Sequence, residues 1–201
     1  LLKLKKNNII KKFFIKENLK SHISSILGTI AVISNYIDIS NLDKNFFYNF
    51  KLLSGRGNLI KIKLNNKIIN IIDESYNSNP LSLEFAVHNF NEMNINSKNK
   101  KILLGDMLEL GKFSNKLHKE AAKIVNKSKI NKVFVYGKAI TTTFSKIKTQ
   151  KKGKILNSKK EILDLIKNRL GNNDYLMVKG SNATGLHEMI SQIKLGHLNA
   201  L

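Results

Sequence analysis

The sequence predicts an α/β fold, a mostly parallel sheet with helices on both faces, preceded by a shorter segment of different character. Three observations predict it. Beyond Ser54-Gly55-Arg56-Gly57, short β-rich apolar runs alternate with helical patterns, which marks strand–helix–strand units. Runs such as Ile68 to Ile72 are apolar but for Asn70, much as strands covered on both faces are. A hydrophobic content of 42% over 201 residues is enough for a core of that size.

The elements follow in order. Leu1 to Ile15 alternates Lys and Asn with Leu, Ile and Phe and reads as one or two strands around the turn Asn7-Asn8. His22 to Ile37 reads as a helix with an apolar stripe through Ile26, Ile30, Ile33 and Ile37. Asn41 to Phe50 reads as a short helix rich in aromatics. Ser54 to Gly57 is the first clear break and sets a domain boundary, with residues 1–53 before it and 54–201 after. Leu59 to Leu64 and Lys67 to Ile72 then form a hairpin around Asn65-Asn66. Helix Leu81 to Met93 leads to strand Lys101 to Leu104, and helix Ser114 to Asn126 to strand Lys132 to Tyr136. Helix Lys138 to Ile147 leads to a weak strand, Lys154 to Leu156. Helix Lys159 to Leu170 leads to strand Tyr175 to Val178, and a last helix begins near Thr184. The tail after Lys194 reads as frayed.

Composition narrows the function. Cysteine is absent, which excludes disulfides, thiolate metal sites and a Cys nucleophile and fits a reducing, cytoplasmic setting. No apolar stretch approaches the roughly 20 residues of a membrane span. The chain starts at Leu1, so a missing natural amino terminus is expected. Net charge is +21, but Arg56 and Arg169 are the only arginines among the 35 basic residues. Arginine's planar fork is what phosphate and base recognition favours, and the lysines are scattered, so most of the excess reads as general solubilising charge. A basic α/β module that binds RNA or another polyanion stays open as the alternative.

Polar residues with chemical potential gather at strand-to-helix corners. The first corner is Asp73-Glu74-Ser75-Tyr76-Asn77-Ser78-Asn79-Pro80. The second is Gly105-Asp106-Met107-Leu108-Glu109-Leu110-Gly111. The third is Val178-Lys179-Gly180-Ser181-Asn182-Ala183-Thr184-Gly185, a glycine-rich turn that opens onto a helix and offers N–H groups to an anion. Gly137-Lys138 is a fourth, generic one. Each corner can also be read as a plain polar loop with a helix cap. Together they would line one edge of the sheet, where open α/β sheets bind ligands. His88 reads as a surface residue, His118 as a brace for the second corner, and His187 and His197 as solvated. No His pair has metal-ligand spacing. Tyr36, Phe46, Phe47 and Tyr48 read as packing between the two domains rather than as base-stacking residues.

The order of residues within these corners resembles the Mur ligases. The first corner matches the family's Asp-[Asp/Glu]-Ser-Tyr-Asn-Ala-Asn-Pro element, with Ser78 in place of Ala. The second, followed by Leu117-His118-Lys119-Glu120, is similar to its Gly-Asp-Met-x-Glu-Leu-Gly…Leu-His-x-Glu block. Val178-Lys179-Gly180-Ser181 and Gly55-Arg56-Gly57 resemble two further elements. His22 resembles the His that opens the last helix of the family's central domain, although Ile26 stands where an Asn is usual. The family's ATP-binding loop, Gly-x-x-Gly-Lys-Thr/Ser, appears nowhere; Gly180 to Gly185 has the spacing, but Leu186-His187 follows it.

The resemblance implies a Rossmann-like carboxyl-terminal domain over residues 54–201, with residues 1–53 the end of a central ATPase domain whose remainder lies upstream. It implies ATP and Mg2+ in the complete enzyme, with no tight binding of either by these residues alone. The implied substrates are UDP-N-acetylmuramoyl-tripeptide and D-alanyl-D-alanine, joined through an acyl phosphate in peptidoglycan precursor synthesis. By the same resemblance Arg56 and one of Asp73 and Glu74 hold the ribose of ATP. Tyr76, Asn77 and Asn79 line the nucleotide or shape the hinge. Lys179 and Ser181 bind the carboxylate of the incoming dipeptide, and Asp106 or Glu109 lies nearer its ammonium. No catalytic residue is assigned within the chain.

Overall fold

The computed structural model describes residues 1–6, 9–16, 19, 22–64 and 66–196. These form two compact units, Leu1–Leu52 and Leu53–Leu201. The expected turn at Asn7-Asn8, Asn65 of the second hairpin turn, and His197 with the rest of the tail lie outside the described residues.

In the first unit, β1 (Leu2–Lys6) pairs antiparallel with β2 (Ile9–Phe13), and α1 spans Ile23–Ile33. Phe13, Leu19, Ile26, Ile30, Ile39, Leu42 and Phe47 make its core. α1 stops before the expected Ile37. The Ser34 hydroxyl and the Asn35 amide donate to the carbonyls of Ala31 and Val32, capturing acceptors that a further turn would need. Ile37 is accordingly exposed. The helix expected over Asn41 to Phe50 is absent. Asp38 and Asp43 accept from the amides of Ser40 and Asn45, and these side-chain turns compete with helix formation. Phe47 packs edge-on to Phe13 inside this unit, with ring centroids 5.5 Å apart, while Tyr36, Phe46 and Tyr48 are exposed.

The second unit is the α/β domain. Its strands are β3 (Asn58–Leu64), β4 (Lys67–Glu74), β5 (Lys100–Gly105), β6 (Lys132–Tyr136), β7 (Lys152–Leu156) and β8 (Asp174–Lys179). They form one sheet in the order β3-β4-β8-β5-β6-β7, antiparallel only between β3 and β4. The helices are α2 (Pro80–Glu92), α3 (Ser114–Lys127), α4 (Thr141–Ser145), α5 (Lys159–Asp164) and α6 (Leu186–Lys194). α2, α3 and the flanks of α4 cover one face through Leu83, Phe90, Ala122, Val125 and Ile140. α5, with the π-helical turn Leu165–Arg169 that follows it, and α6 cover the other through Ile162, Ile166, Met189 and Ile190. No helix among the described residues is long and apolar enough to cross a membrane.

Two elements start later than expected. α4 begins at Thr141, and the amides of Lys138 and Ile140 just before it donate to the Asp106 carboxylate. α6 begins at Leu186, after a 3-10 turn at Asn182–Thr184 and Gly185 with φ of 74°.

Lys100 is an unexpected core residue, 1% exposed. Its ammonium donates to the carbonyls of Phe90, Asn91 and Met93, closing the carboxyl end of α2. Burial pushes its pKa down, with Lys129 adding to the effect. Lys100→Met should cost about 2 kcal/mol, since three carbonyls lose a charged donor. Denaturant midpoints of the two proteins, with unchanged slopes, would show it; equal midpoints would refute it.

Candidate functional site

The sheet order brings the corners together. β8 lies between β4 and β5, so Lys179 is in register with Glu74 on one side and with Leu104 on the other. The turns after β4, β5 and β8 therefore leave the same rim side by side. Asn58 pairs with Asp73, which sets the Gly55–Gly57 corner beside the first turn. Two backbone bonds fix that corner: the Gly57 amide donates to the Asp73 carbonyl (2.8 Å) and the Tyr76 amide to the Gly55 carbonyl (3.2 Å). Gly55 has φ of 78°, and a Cβ there would lie 2.7 Å from both Tyr76 Cβ and His187 Nδ1. Only glycine fits.

The two acids of the first corner differ in placement. Asp73 is buried, and its carboxylate accepts from the Ser75 amide and hydroxyl. It braces the turn. Glu74 is partly exposed, with Oε2 3.7 Å from Lys179 Nζ. Burial raises its pKa; Lys179 pulls it back down, Asp73 raises it, and Arg56 lowers it slightly. Lys179 is 2% exposed, and its ammonium also donates to the Asn77 carbonyl at 3.0 Å. Burial lowers its pKa, and Glu74 opposes that shift. Above this pair the exposed Arg56 guanidinium lies 4.7 Å over the Tyr76 ring. The result is a cationic and aromatic platform beside a carboxylate, a combination suited to a nucleoside.

The second and third corners interlock. The Ser181 amide donates to the Asp106 carbonyl, and the Ser181 hydroxyl accepts from the Leu108 amide (2.8 Å) and donates to the Ser78 carbonyl (3.3 Å). His118 Nε2 accepts from the Met107 amide, bracing the loop from α3. Gly105 and Gly180 approach so closely that a Cβ on either would lie 3.2 Å or less from the other's Cα. Glu109 holds φ of 63°, which is uncommon for a residue with a side chain, and points to a fixed backbone. It is exposed and lines a cleft of about 580 Å³ with Tyr76, Asn77, Leu108, Ser181, Asn182 and Glu188.

The structure thus brings together Arg56, Glu74, Tyr76, Asn77, Glu109, Lys179 and Ser181, and corrects several expectations. Lys179 and Ser181 are both engaged within the rim. Lys179 is shut from solvent by the rim it supports, and the single Ser181 proton is spent on Ser78. Asp106 is committed to the Lys138 and Ile140 amides, leaving Glu109 as the open acid of that corner. Asn79 caps α2 in a reciprocal bond with Ser82 and is not part of the platform. His187 is half-buried and engaged rather than simply solvated: Nδ1 lies 3.2 Å from Ser75 Oγ, and the ring meets Tyr76 edge-on at 5.5 Å. Sequence reasoning missed it because it lies 112 positions beyond Ser75. Among the described residues no three or more His, Cys, Asp or Glu side chains gather so as to hold a metal ion.

Residues 55–182 match the profile of the Mur ligase, glutamate ligase domain. The chain is 30% identical over 128 residues to the UDP-N-acetylmuramoyl-tripeptide–D-alanyl-D-alanine ligase of Bacillus subtilis, covering 62% of this chain and 28% of that protein. It is 24% identical over 177 residues to the ligase of the same name from Rickettsia prowazekii, covering 88% and 37%. The chain therefore spans about a third of the length of these relatives. The MurF ligase from Thermotoga maritima in complex with ADP superposes with a TM-score of 0.63 at 20% identity, over 89% of this chain and 38% of that one. A ligase from Acinetobacter baumannii gives 0.68 at 17% identity, over 87% and 36%. These last two show a shared fold. With the profile spanning most of the chain and its corners meeting at one rim, the chain belongs to the Mur ligase family.

Proposed function

We propose that the chain is the carboxyl-terminal part of a cytoplasmic, ATP-dependent ligase that joins D-alanyl-D-alanine to UDP-N-acetylmuramoyl-tripeptide. In such a reaction a carboxylate is activated as an acyl phosphate and an amine displaces the phosphate. The observation that carries the proposal is the meeting of the Glu74–Lys179 pair and the Arg56–Tyr76 platform with the Glu109 cleft on one rim.

Glu74 accepts the ribose hydroxyls, and Arg56 with Tyr76 packs against the nucleoside. Asp73, Asn77 and Asn79 shape the turn that presents them. Lys179 positions Glu74 and the Asn77 carbonyl, and Ser181 positions the Leu108 segment. Glu109 receives the ammonium of the dipeptide. The work of these residues is to hold two reactants in line and to exclude water, which is where much of the rate of a ligase arises. Residues 1–53 supply the end of a central domain. Mg2+ ligands and the ATP-phosphate loop come from outside these residues, so the 201-residue chain alone turns over no ATP.

The test uses protein expressed from the complete reading frame, with ATP, Mg2+, UDP-N-acetylmuramoyl-tripeptide and D-alanyl-D-alanine. Formation of ADP, phosphate and the UDP-muramoyl-pentapeptide, each dependent on both substrates, is expected. ATP turnover that ignores the dipeptide, or none at all, would sink the assignment.

A further inference from the structure

His187 is the side chain through which α6 reaches the rim turn. It occupies the first turn of that helix, directly behind the left-handed Gly185. Its Nδ1 lies 3.2 Å from Ser75 Oγ. The Ser75 hydroxyl, fully buried, has one proton, and the buried Asp73 carboxylate receives it. A carboxylate at neutral pH only accepts, so Ser75 Oγ has lone pairs alone to offer His187. The network therefore assigns the hydrogen on His187 to Nδ1. Asp73, Ser75 and His187 form a directed chain that ends on the imidazole.

The imidazole in turn carries the platform. Its ring meets Tyr76 at 85°, centroids 5.5 Å apart, and Tyr76 lies beneath the Arg56 guanidinium. The Gly55 corner packs so tightly on His187 Nδ1 that a Cβ would come within 2.7 Å of it. A phenol on a turn can hop between staggered rotamers unless a neighbour blocks it. Here the neighbour is His187. The next residue, Glu188, lines the cleft of Glu109 and Asn182. The first turn of α6 therefore touches both halves of the rim.

We propose that His187 is a positioning residue for the nucleotide: anchored by Asp73 through Ser75, it fixes Tyr76 under Arg56 and so sets the affinity for the nucleoside. The inference rests on the nucleotide reading given above. A pure packing role would be met by any side chain of similar volume; a positioning role needs a donor at Nδ1.

The test compares His187→Leu, which keeps volume, with His187→Asn, whose amide can replace the Nδ1 donor. In protein from the complete reading frame, His187→Leu should raise KM for ATP roughly tenfold, the loss of one oriented cation–aromatic contact and one hydrogen bond. Its kcat should stay within about twofold, because only nucleotide binding is touched. His187→Asn should recover most of the loss, and Ser75→Ala should reproduce the split from the other end of the chain. Amide exchange gives an independent readout: the Gly57 and Tyr76 amides should exchange faster in His187→Leu and not in His187→Asn. Wild-type KM and wild-type exchange in His187→Leu overturn the proposal, as does Ser75→Ala with an unchanged KM. If the wild-type protein binds no ATP, the nucleotide site itself is refuted and the functional half of the proposal falls with it. The two amides then decide separately whether His187 holds the corner.

Discussion

Lys179→Met should lower stability by about 3 kcal/mol, the low end of what breaking a buried ion pair costs. The variant leaves Glu74 in its desolvated place without its nearest cation and leaves the Asn77 carbonyl without a donor. Two consequences separate this cause from a simple cavity. First, Glu74→Gln in the same protein should restore part of the loss, since a neutral amide needs no counter-charge; a double-mutant cycle with zero coupling would refute the pairing. Second, pH should matter with a definite sign. Glu74 is held above its ordinary pKa by burial, and removing Lys179 removes the main influence pulling it back. An acid whose folded pKa is raised is unfavourable in its charged form, and that penalty disappears as pH falls through the raised value. The variant should therefore regain ground relative to the unaltered protein on mild acidification. A difference between the two that is flat from neutral pH into the acid range would contradict this account.

Glu74→Gln should raise KM for ATP by about tenfold to a hundredfold, the worth of a charged hydrogen bond to a ribose hydroxyl. The amide keeps the shape and loses the charge, so kcat for bound substrates should change less. With Glu74 intact, affinity for ATP should weaken on acidification once the carboxyl takes up its proton. Because burial raises that pKa, the weakening should begin above the usual carboxylate range. In Glu74→Gln the same profile should be level over that interval. A variant with unaltered KM would transfer the ribose role elsewhere on the rim. Asp73 is the poorer candidate, because its carboxylate is buried and already occupied by Ser75.

The α/β domain was legible because its strands are buried on both faces. Ile69, Ile71 and Ile72, Ile102 to Leu104 and Leu176 to Val178 leave almost no choice of environment, and the helices between them carry clear apolar stripes. Where local polar groups compete with the pattern, the sequence misleads. Asp38 and Asp43 turn an apparent helix into a series of bends. The site was legible as corners but not as roles. Strand ends bearing acids, a lysine and a glycine-rich turn can be found by reading along the chain. Which acid faces solvent cannot, since that depends on strand register. Asp73 and Glu74 point to opposite sides of β4, and only the pairing with β8 sets Lys179 beside Glu74. His187 and Lys100 escaped for the same reason: their partners are set by folding, not by neighbours in sequence.

Among the described residues β3 and β7 are the outer strands of the sheet, each with a single neighbour in the ladder. Such margins are templates on which another copy of the chain could add itself, the first step toward fibrils. Here β3 turns Lys61 and Lys63 outward, and β7 exposes Lys154. A second molecule approaching either margin meets like charge before it can form a ladder. Positive charge at the margins of a sheet opposes such self-addition. Reversing Lys61 and Lys63 to Glu opposite a still-basic neighbour would remove that repulsion and invite clumping.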